Sequence, residues 1–142
     1  MKMTQEKISH FFETLHKETT VESFKTIYDE KVSFKDPFNQ VEEIQSVYKI
    51  FAHMYENLEN PRFVITEYIG KENVAYVKWD FIFTFKGEKN ENSFEGVSRL
   101  VMNDEDKVIS HTDYWDAAEH IYERMPLIGS LLRFIKRKIA KG

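Results

Sequence analysis

The sequence predicts an α+β domain in which a curved antiparallel sheet packs on three amino-terminal helices. Apolar residues recur every three or four positions up to residue 58, which is the period of a helix. From residue 63 to residue 116 they recur every second position, and short polar turns separate the segments. Strands joined by short turns run antiparallel, and a sheet with one apolar face needs a cover, which the helices supply.

The composition is that of one globular domain. The chain has 142 residues, of which 42% are hydrophobic and 31% are charged. It has no cysteine, which excludes disulfides and thiolate chemistry. No apolar run approaches the roughly 20 residues that span a bilayer, and we recognise no signal peptide, so we expect a cytoplasmic protein. The aromatic content of 15% suits a roomy apolar interior.

Three helices and one short strand are predicted in the first 60 residues. Residues 8–15 and 21–28 show helical spacing, and Thr20 is placed to cap the second helix. Residues 31–35 form a short strand candidate that closes at Asp36-Pro37. The third helix stops at Asn60-Pro61. Its apolar stripe consists of Val41, Ile44, Tyr48, Phe51, Tyr55 and Leu58.

Four strands are then predicted at residues 63–69, 73–85, 93–102 and 107–116. One face of the second of them is fully apolar. This face carries Ala75, Val77, Trp79, Phe81, Phe83 and Phe85. Residues 117–124 are expected to form one or two helical turns, and residues 127–140 an amphipathic helix that Pro126 opens.

The element order resembles that of a known superfamily when two short segments are added to it. These are Asp36-Pro37 after the short strand and His111-Thr112-Asp113-Tyr114-Trp115-Asp116 on the last strand. The chain resembles the nuclear transport factor two-like superfamily over roughly residues 5–120, and most of all its SnoaL-like branch. That branch shares its cystatin-like fold with ketosteroid isomerase and limonene epoxide hydrolase. The resemblance implies a cone-shaped sheet with room for a pocket at the wide end, but not one activity.

The resemblance to ketosteroid isomerase implies one catalytic residue in this chain, and the enzyme's other two catalytic residues are replaced here. Asp36 falls where that enzyme has its general base, although an Asx turn explains the same residue structurally. Phe12 falls where the enzyme has a tyrosine, and Ser98 where it has a protonated acid. Phenylalanine has no hydroxyl and serine is a weak donor, so we do not expect steroid isomerisation by that route.

A histidine and an aspartate lie two residues apart on the last strand. Strand alternation puts His111 and Asp113 on one face with Ile109 and Trp115, and we expect that face to meet the helices. Asp113 resembles the acid or base of SnoaL-type cyclases and epoxide hydrolases, so one interpretation is a proton-transfer pair beside a pocket. The other is a structural polar pair linked to Arg99 or Tyr48. For Arg99 itself we expect a surface ion pair.

The candidate ligand-binding residues line the proposed pocket, although the aromatic ones among them also suit a plain core. They are Phe12, Tyr48, Trp79, Phe81, Phe83, Ser98 and Trp115. We expect no metal and no cofactor, because the five histidines show no zinc-binding pattern and the chain lacks a glycine-rich phosphate loop.

Charge divides the chain at residue 124. The net charge is −4, and residues 124–142 hold six basic residues and no acidic one, which leaves −10 on residues 1–123. We therefore predict a SnoaL-like domain at residues 1–123, which repels nucleic acid, and a basic helix at residues 124–142. That helix is a solvated face, a packing element for the cone or a partner subunit, or a weak contact with an anionic membrane surface.

The function predicted from these residues is binding of an apolar small molecule by a homodimer paired through the outer face of the sheet. Proton-transfer isomerisation, cyclisation or hydrolysis by Asp113 and His111, with Asp36 near the mouth, is the enzymatic version. The alternative is a carrier or protein-interaction module without catalysis.

Overall fold

A computed structural model of the chain describes residues 4–117 and 137–140. Three helices precede most of the sheet, and a strand pair lies between the second and third helix. The helices are α1 (Gln5–Glu13), α2 (Val21–Phe24) and α3 (Ile44–Asn57). The strands are β1 (Tyr28–Lys35), β2 (Gln40–Glu42), β3 (Leu58–Lys71), β4 (Val74–Phe85), β5 (Glu91–Met102) and β6 (Val108–Tyr114).

The strands form one curved, unclosed sheet in the order β2-β1-β6-β5-β4-β3. The strands β3 to β6 are antiparallel neighbours, as the short turns predict. The expectation of a wholly antiparallel sheet is wrong at one pair, because β1 runs parallel to β6 with Phe34 opposite His111. Short-turn reasoning could not find this pair, since about half of the chain separates the two strands in the sequence.

The second helix is shorter than its apolar spacing predicts. Thr20 caps it as expected, with its hydroxyl accepting from the Ser23 amide at 3.4 Å. The helix ends at Phe24, however, and Tyr28 begins strand β1 by pairing with Val108. Sheet pairing therefore decides the conformation of Tyr28 against its helical spacing.

The third helix also starts and ends differently from the prediction. Val41 belongs to β2, which pairs with β1, and the chain turns at Glu43 with a φ of 74° before α3 begins. At the other end, Leu58 is already in β3. Pro61 lies inside β3 rather than in a turn, at an irregularity of the β3–β4 ladder where its missing N–H costs no ladder hydrogen bond.

The helices cover the concave face of the sheet and enclose two groups of buried side chains. Alternation along β4 is confirmed, because Ala75, Val77, Trp79, Phe81 and Phe83 are all buried there. The larger group joins the helices to the centre of the sheet. The smaller, aromatic group consists of Trp79, Phe81, Phe83 and Phe94, with half-buried Trp115 against it.

Strand β6 departs from simple alternation at one residue. Val101 pairs with Ser110 but Met102 pairs with Val108, so Ile109 is an extra residue in the ladder. Val108 and His111 are buried while Ile109 is 37% exposed. The expectation that Ile109 shares the inner face with His111 is thus wrong, and the bulge is the reason.

Several expectations for the carboxyl terminus lie outside the described residues. They include the boundary at residue 123, the turns after residue 117 and most of the amphipathic helix, of which residues 137–140 are helical. No helix among the described residues is long and apolar enough to cross a membrane.

Candidate functional site

An open cavity of about 640 Å³ lies between α3, the loop after β1 and the inner faces of β4, β5 and β6. Aromatic rings form most of its wall, and the alternation of β4 and β5 brings four of them inward. These rings belong to Phe34, Phe38, Phe51, Phe63, Trp79, Phe81, Phe83, Phe94 and Trp115. The volume is typical of sites for small organic ligands.

Few polar groups interrupt this wall. Two carboxylates reach it, from Asp36 after β1 and from Asp113 on β6. Helix α3 adds the exposed side chains of Lys49 and His53. Within the described part of the chain, no three histidine or acidic side chains are close enough together to hold a metal ion.

Asp113 connects the cavity with a buried hydrogen-bond chain. Its side chain is 15% exposed, and its Oδ1 lies 2.6 Å from Nε2 of His111, which is 1% exposed. The hydroxyl of Ser98 donates to the same Oδ1. No described residue gives a hydrogen bond to the other oxygen, Oδ2.

Both ends of this hydrogen-bond network are anchored by buried aromatic residues. The indole N–H of Trp79 donates to Oγ of Ser98 at 2.9 Å. At the other end, Oη of Tyr28 lies 2.7 Å from Nδ1 of His111, and the two rings stack. Burial, and then the charge of Asp113, raise the pKa of Tyr28 well above its usual value, so this hydroxyl keeps its proton.

The donors and acceptors of this hydrogen-bond network are mutually consistent when Asp113 is ionised. A carboxylate only accepts, so Nε2 of neutral His111 carries the hydrogen and Nδ1 accepts from Tyr28. Ser98 accepts from the indole and has one hydrogen left for Asp113. Every buried polar group of this hydrogen-bond network is thereby satisfied. The alternative in which the pair is linked to Arg99 or Tyr48 is wrong, because those side chains bind Tyr76 and Thr19.

Asp36 has a different role in the fold. Its Oδ1 accepts from the amides of Phe38 at 2.8 Å and Asn39 at 2.6 Å, and from the Asn39 side chain at 3.1 Å. This is the Asx-type turn that the sequence allowed. The carboxylate borders the cavity, but its hydrogen bonds hold the loop.

Sequence comparison agrees with this geometry. The family model of SnoaL-like domains matches residues 8–111. The chain belongs to the SnoaL-like domain family. No curated protein sequence matches it.

Solved structures show the same fold at low identity. A hypothetical protein from Catenulispora acidiphila DSM 44928 with a ketosteroid isomerase-like fold, in complex with trimethylamine, has a TM-score of 0.72 and 13% identity. The match covers 83% of this chain and 92% of that one.

Two further structures extend this result. A suggested isomerase of the SnoaL-like family from Agrobacterium tumefaciens str. C58 has a TM-score of 0.63 and 17% identity, covering 77% of this chain and 91% of its own. TerC, co-crystallised with polyporic acid, has a TM-score of 0.62 and 16% identity, covering 70% and 81%. The SnoaL-like chain therefore has the nuclear transport factor two-like fold that its element order predicts.

The structure places six of the predicted site residues of this SnoaL-like chain on the cavity and four behind it. The six on the wall are Asp36, Trp79, Phe81, Phe83, Asp113 and Trp115. Phe12 is instead packed edge-on against His111, and Tyr48 donates to the carbonyl of Thr19 on the far side of α3. His111 and Ser98 are buried beneath Asp113 and do not line the cavity.

One prediction near the site is wrong, and several residues of the site were not predicted. Arg99 donates to Oη of Tyr76 at 3.2 Å on the outer face and forms no ion pair within the described residues. Sequence reasoning missed Tyr28 because its spacing assigned it to a helix. Phe34, Phe63 and Phe94 were also missed, although Phe34 and Phe94 each lie between two polar residues, which gave a signal for the inner face.

Proposed function

We propose that this SnoaL-like domain binds an apolar, ring-containing small molecule and exchanges a proton with it through Asp113. Isomerisation, cyclisation and hydrolysis are the reaction classes that need such a group. Asp113 carries the proposal because, among the described residues, it alone combines contact with the cavity and a buried supporting pair. Its Oδ1 is held by Ser98 and His111, and its Oδ2, to which no described residue donates, is the oxygen that we assign to the ligand.

The environment of Asp113 favours general acid–base chemistry. A carboxylate beside aromatic walls is less well hydrated than one in water, which strengthens its interaction with a ligand proton. The hydrogen bonds to Oδ1 hold the group in one orientation, so little reorganisation is needed before proton transfer. His111 acts behind Asp113 rather than at the ligand.

Asp36 is not proposed as the base. Its Oδ1 accepts three hydrogen bonds from its own loop, and its Oδ2 accepts one from the Asn39 side chain at 3.2 Å. Proton transfer at either oxygen would therefore compete with the turn. It contributes negative charge near the cavity. The two structurally similar proteins that were crystallised with small molecules support the ligand-binding part of the proposal and not a particular ligand.

A base in an apolar cavity can be tested without knowing the natural ligand. The probe is 5-nitrobenzisoxazole, a flat aromatic molecule whose acidic ring C–H is taken by a general base. As the proton moves to Asp113, the C–H electrons form the nitrile and the N–O bond breaks to give a coloured nitrophenolate. The absorbance of that product follows the rate.

We expect Asp113→Asn to lower this rate by about 10²-fold, the usual contribution of a general base. Asp80→Asn is the matched control, because Asp80 lies on the outer face of β4 and undergoes the same chemical change away from the cavity. An unchanged rate in Asp113→Asn would contradict the proposal, as would a loss confined to Asp36→Asn. Tight binding of the probe with no Asp113-dependent rate would indicate the carrier function instead.

A further inference from the structure

We infer that Ser98 and Tyr28 are positioning residues of this site. Tyr28 holds the His111 ring in the orientation that donates to Asp113, and Ser98 and His111 together leave one reactive oxygen on Asp113. The inference deepens the proposed function and rests on it for the kinetic test alone. Neither residue lines the cavity, so each acts through another side chain.

Ser98 is oriented from the cavity wall. Trp79 presents its ring to the cavity and donates its indole N–H to Oγ of Ser98. A serine hydroxyl has one hydrogen, and the accepted indole bond leaves that hydrogen for Oδ1 of Asp113. A residue without the hydroxyl would leave the buried indole N–H unpaired and remove one of the two donors to the carboxylate.

Tyr28 orients His111 from the opposite side. Among the described residues, the imidazole has hydrogen bonds only with Tyr28 and Asp113. Phe12 and Phe34 contact the ring edge-on, with centroids 5.9 Å and 4.8 Å away. The ring is 1% exposed, so rotation would break both hydrogen bonds without water to replace them.

The hydrogen bonds from the two sides meet at a single atom of Asp113. Ser98 and His111 both donate to Oδ1, which makes the two oxygens of Asp113 unequal. Oδ1 is committed to the protein and Oδ2 is the oxygen that meets the ligand proton. A carboxylate without these donors would rotate about its last bond and present either oxygen.

The tautomer can be measured in the intact chain by nitrogen NMR with ¹⁵N-labelled histidine. We expect His111 to carry its hydrogen on Nε2 and to show a hydrogen-bonded, unprotonated Nδ1 at neutral pH. Tyr28→Phe keeps the ring and removes the hydroxyl, so the Nδ1 resonance should move toward that of a free acceptor while Nε2 stays protonated. A hydrogen on Nδ1 in the unmodified protein, or no movement in Tyr28→Phe, would overturn the inference.

The kinetic test uses the pH profile of benzisoxazole elimination. Removing a donor to the charged carboxylate in Ser98→Ala should move the acidic limb of the profile up by about one pH unit. Ser98→Thr retains the hydroxyl and should restore the position of the limb. A limb that stays in place in Ser98→Ala would overturn the role of Ser98.

The two proposals fail in different ways. An NMR result against the Nε2–H tautomer overturns the positioning inference while the Asp113-dependent rate still stands. A rate that does not depend on Asp113 overturns the proposed function, and the tautomer remains testable without it.

Discussion

Gly96 and Trp79 face each other across the β4–β5 ladder, and the indole lies directly on the glycine. A Cβ on Gly96 would be 2.3 Å from Cη2 of Trp79, a separation that real side chains do not tolerate. Since the same indole lines the cavity and holds Ser98, the missing side chain of Gly96 sets both the depth of the cavity and the position of the hydrogen-bond chain.

Gly96→Ala should therefore displace the indole into the cavity. We expect the free energy of unfolding to fall by about 1–3 kcal/mol, the usual cost of overpacking, in urea titrations. Gly70→Ala is the control, because the three atoms nearest to its Cβ would all belong to the movable side chain of Tyr68, the first at 3.1 Å. It should cost about 0.5 kcal/mol or less. Equal losses in the two variants would show that Gly96 has no special role.

Much of this site follows from simple periodicity. Alternation along β4 placed Trp79, Phe81 and Phe83 inward, and alternation along β6 placed Asp113 on the same side as Trp115. Both inferences needed only the local pleat of one strand. Local patterns were reliable where such a strand continues without a bulge.

The parts that sequence reasoning missed depend on pairings between distant segments. Tyr28 reaches His111 only because β1 lies beside β6, and these strands are about 80 residues apart in the chain. Ile109 faces outward because of a bulge that no residue type announces. The link from Trp79 to Ser98 requires the register of β4 against β5, which turn chemistry alone did not define.

The loop that borders the cavity should depend on one oxygen of Asp36. Asp36→Ala removes the acceptor for two backbone amides, and we expect a loss of about 1–2 kcal/mol of unfolding free energy. Asp36→Asn keeps that oxygen and should lose less. Urea titration compares the two variants, and an alanine variant as stable as the asparagine one would be inconsistent with the turn.

The buried hydroxyl of Tyr28 should matter more for stability than that of a half-buried tyrosine. Tyr28→Phe leaves Nδ1 of His111 without its donor, which is expected to cost about 1–3 kcal/mol. Tyr48→Phe loses a hydrogen bond to the Thr19 carbonyl in a half-buried place where water can replace it, so it should cost about 1 kcal/mol or less. The reverse order in thermal or urea unfolding would argue against a buried Tyr28–His111 bond.

Alkaline pH should destabilise the fold through buried tyrosines, and Tyr55 gives a clear way to measure it. Burial raises the pKa of Tyr55 to about 12, whereas an unfolded tyrosine has a pKa of about 10. The folded chain therefore retains this proton to a higher pH than the unfolded chain. The stabilisation is complete below pH 10 and is lost as the pH rises toward 12.

The pKa of Tyr28 is raised in the same direction by burial and the Asp113 charge, and that of Tyr68 by burial and the Asp106 charge, so several groups share this alkaline loss. Tyr55→Phe isolates one of them, because its hydroxyl has no hydrogen-bond partner among the described residues. At pH 8 the variant should match the parent within about 1 kcal/mol. Between pH 8 and pH 11 its unfolding free energy, measured in urea, should fall less steeply, and identical slopes would exclude Tyr55 as a contributor.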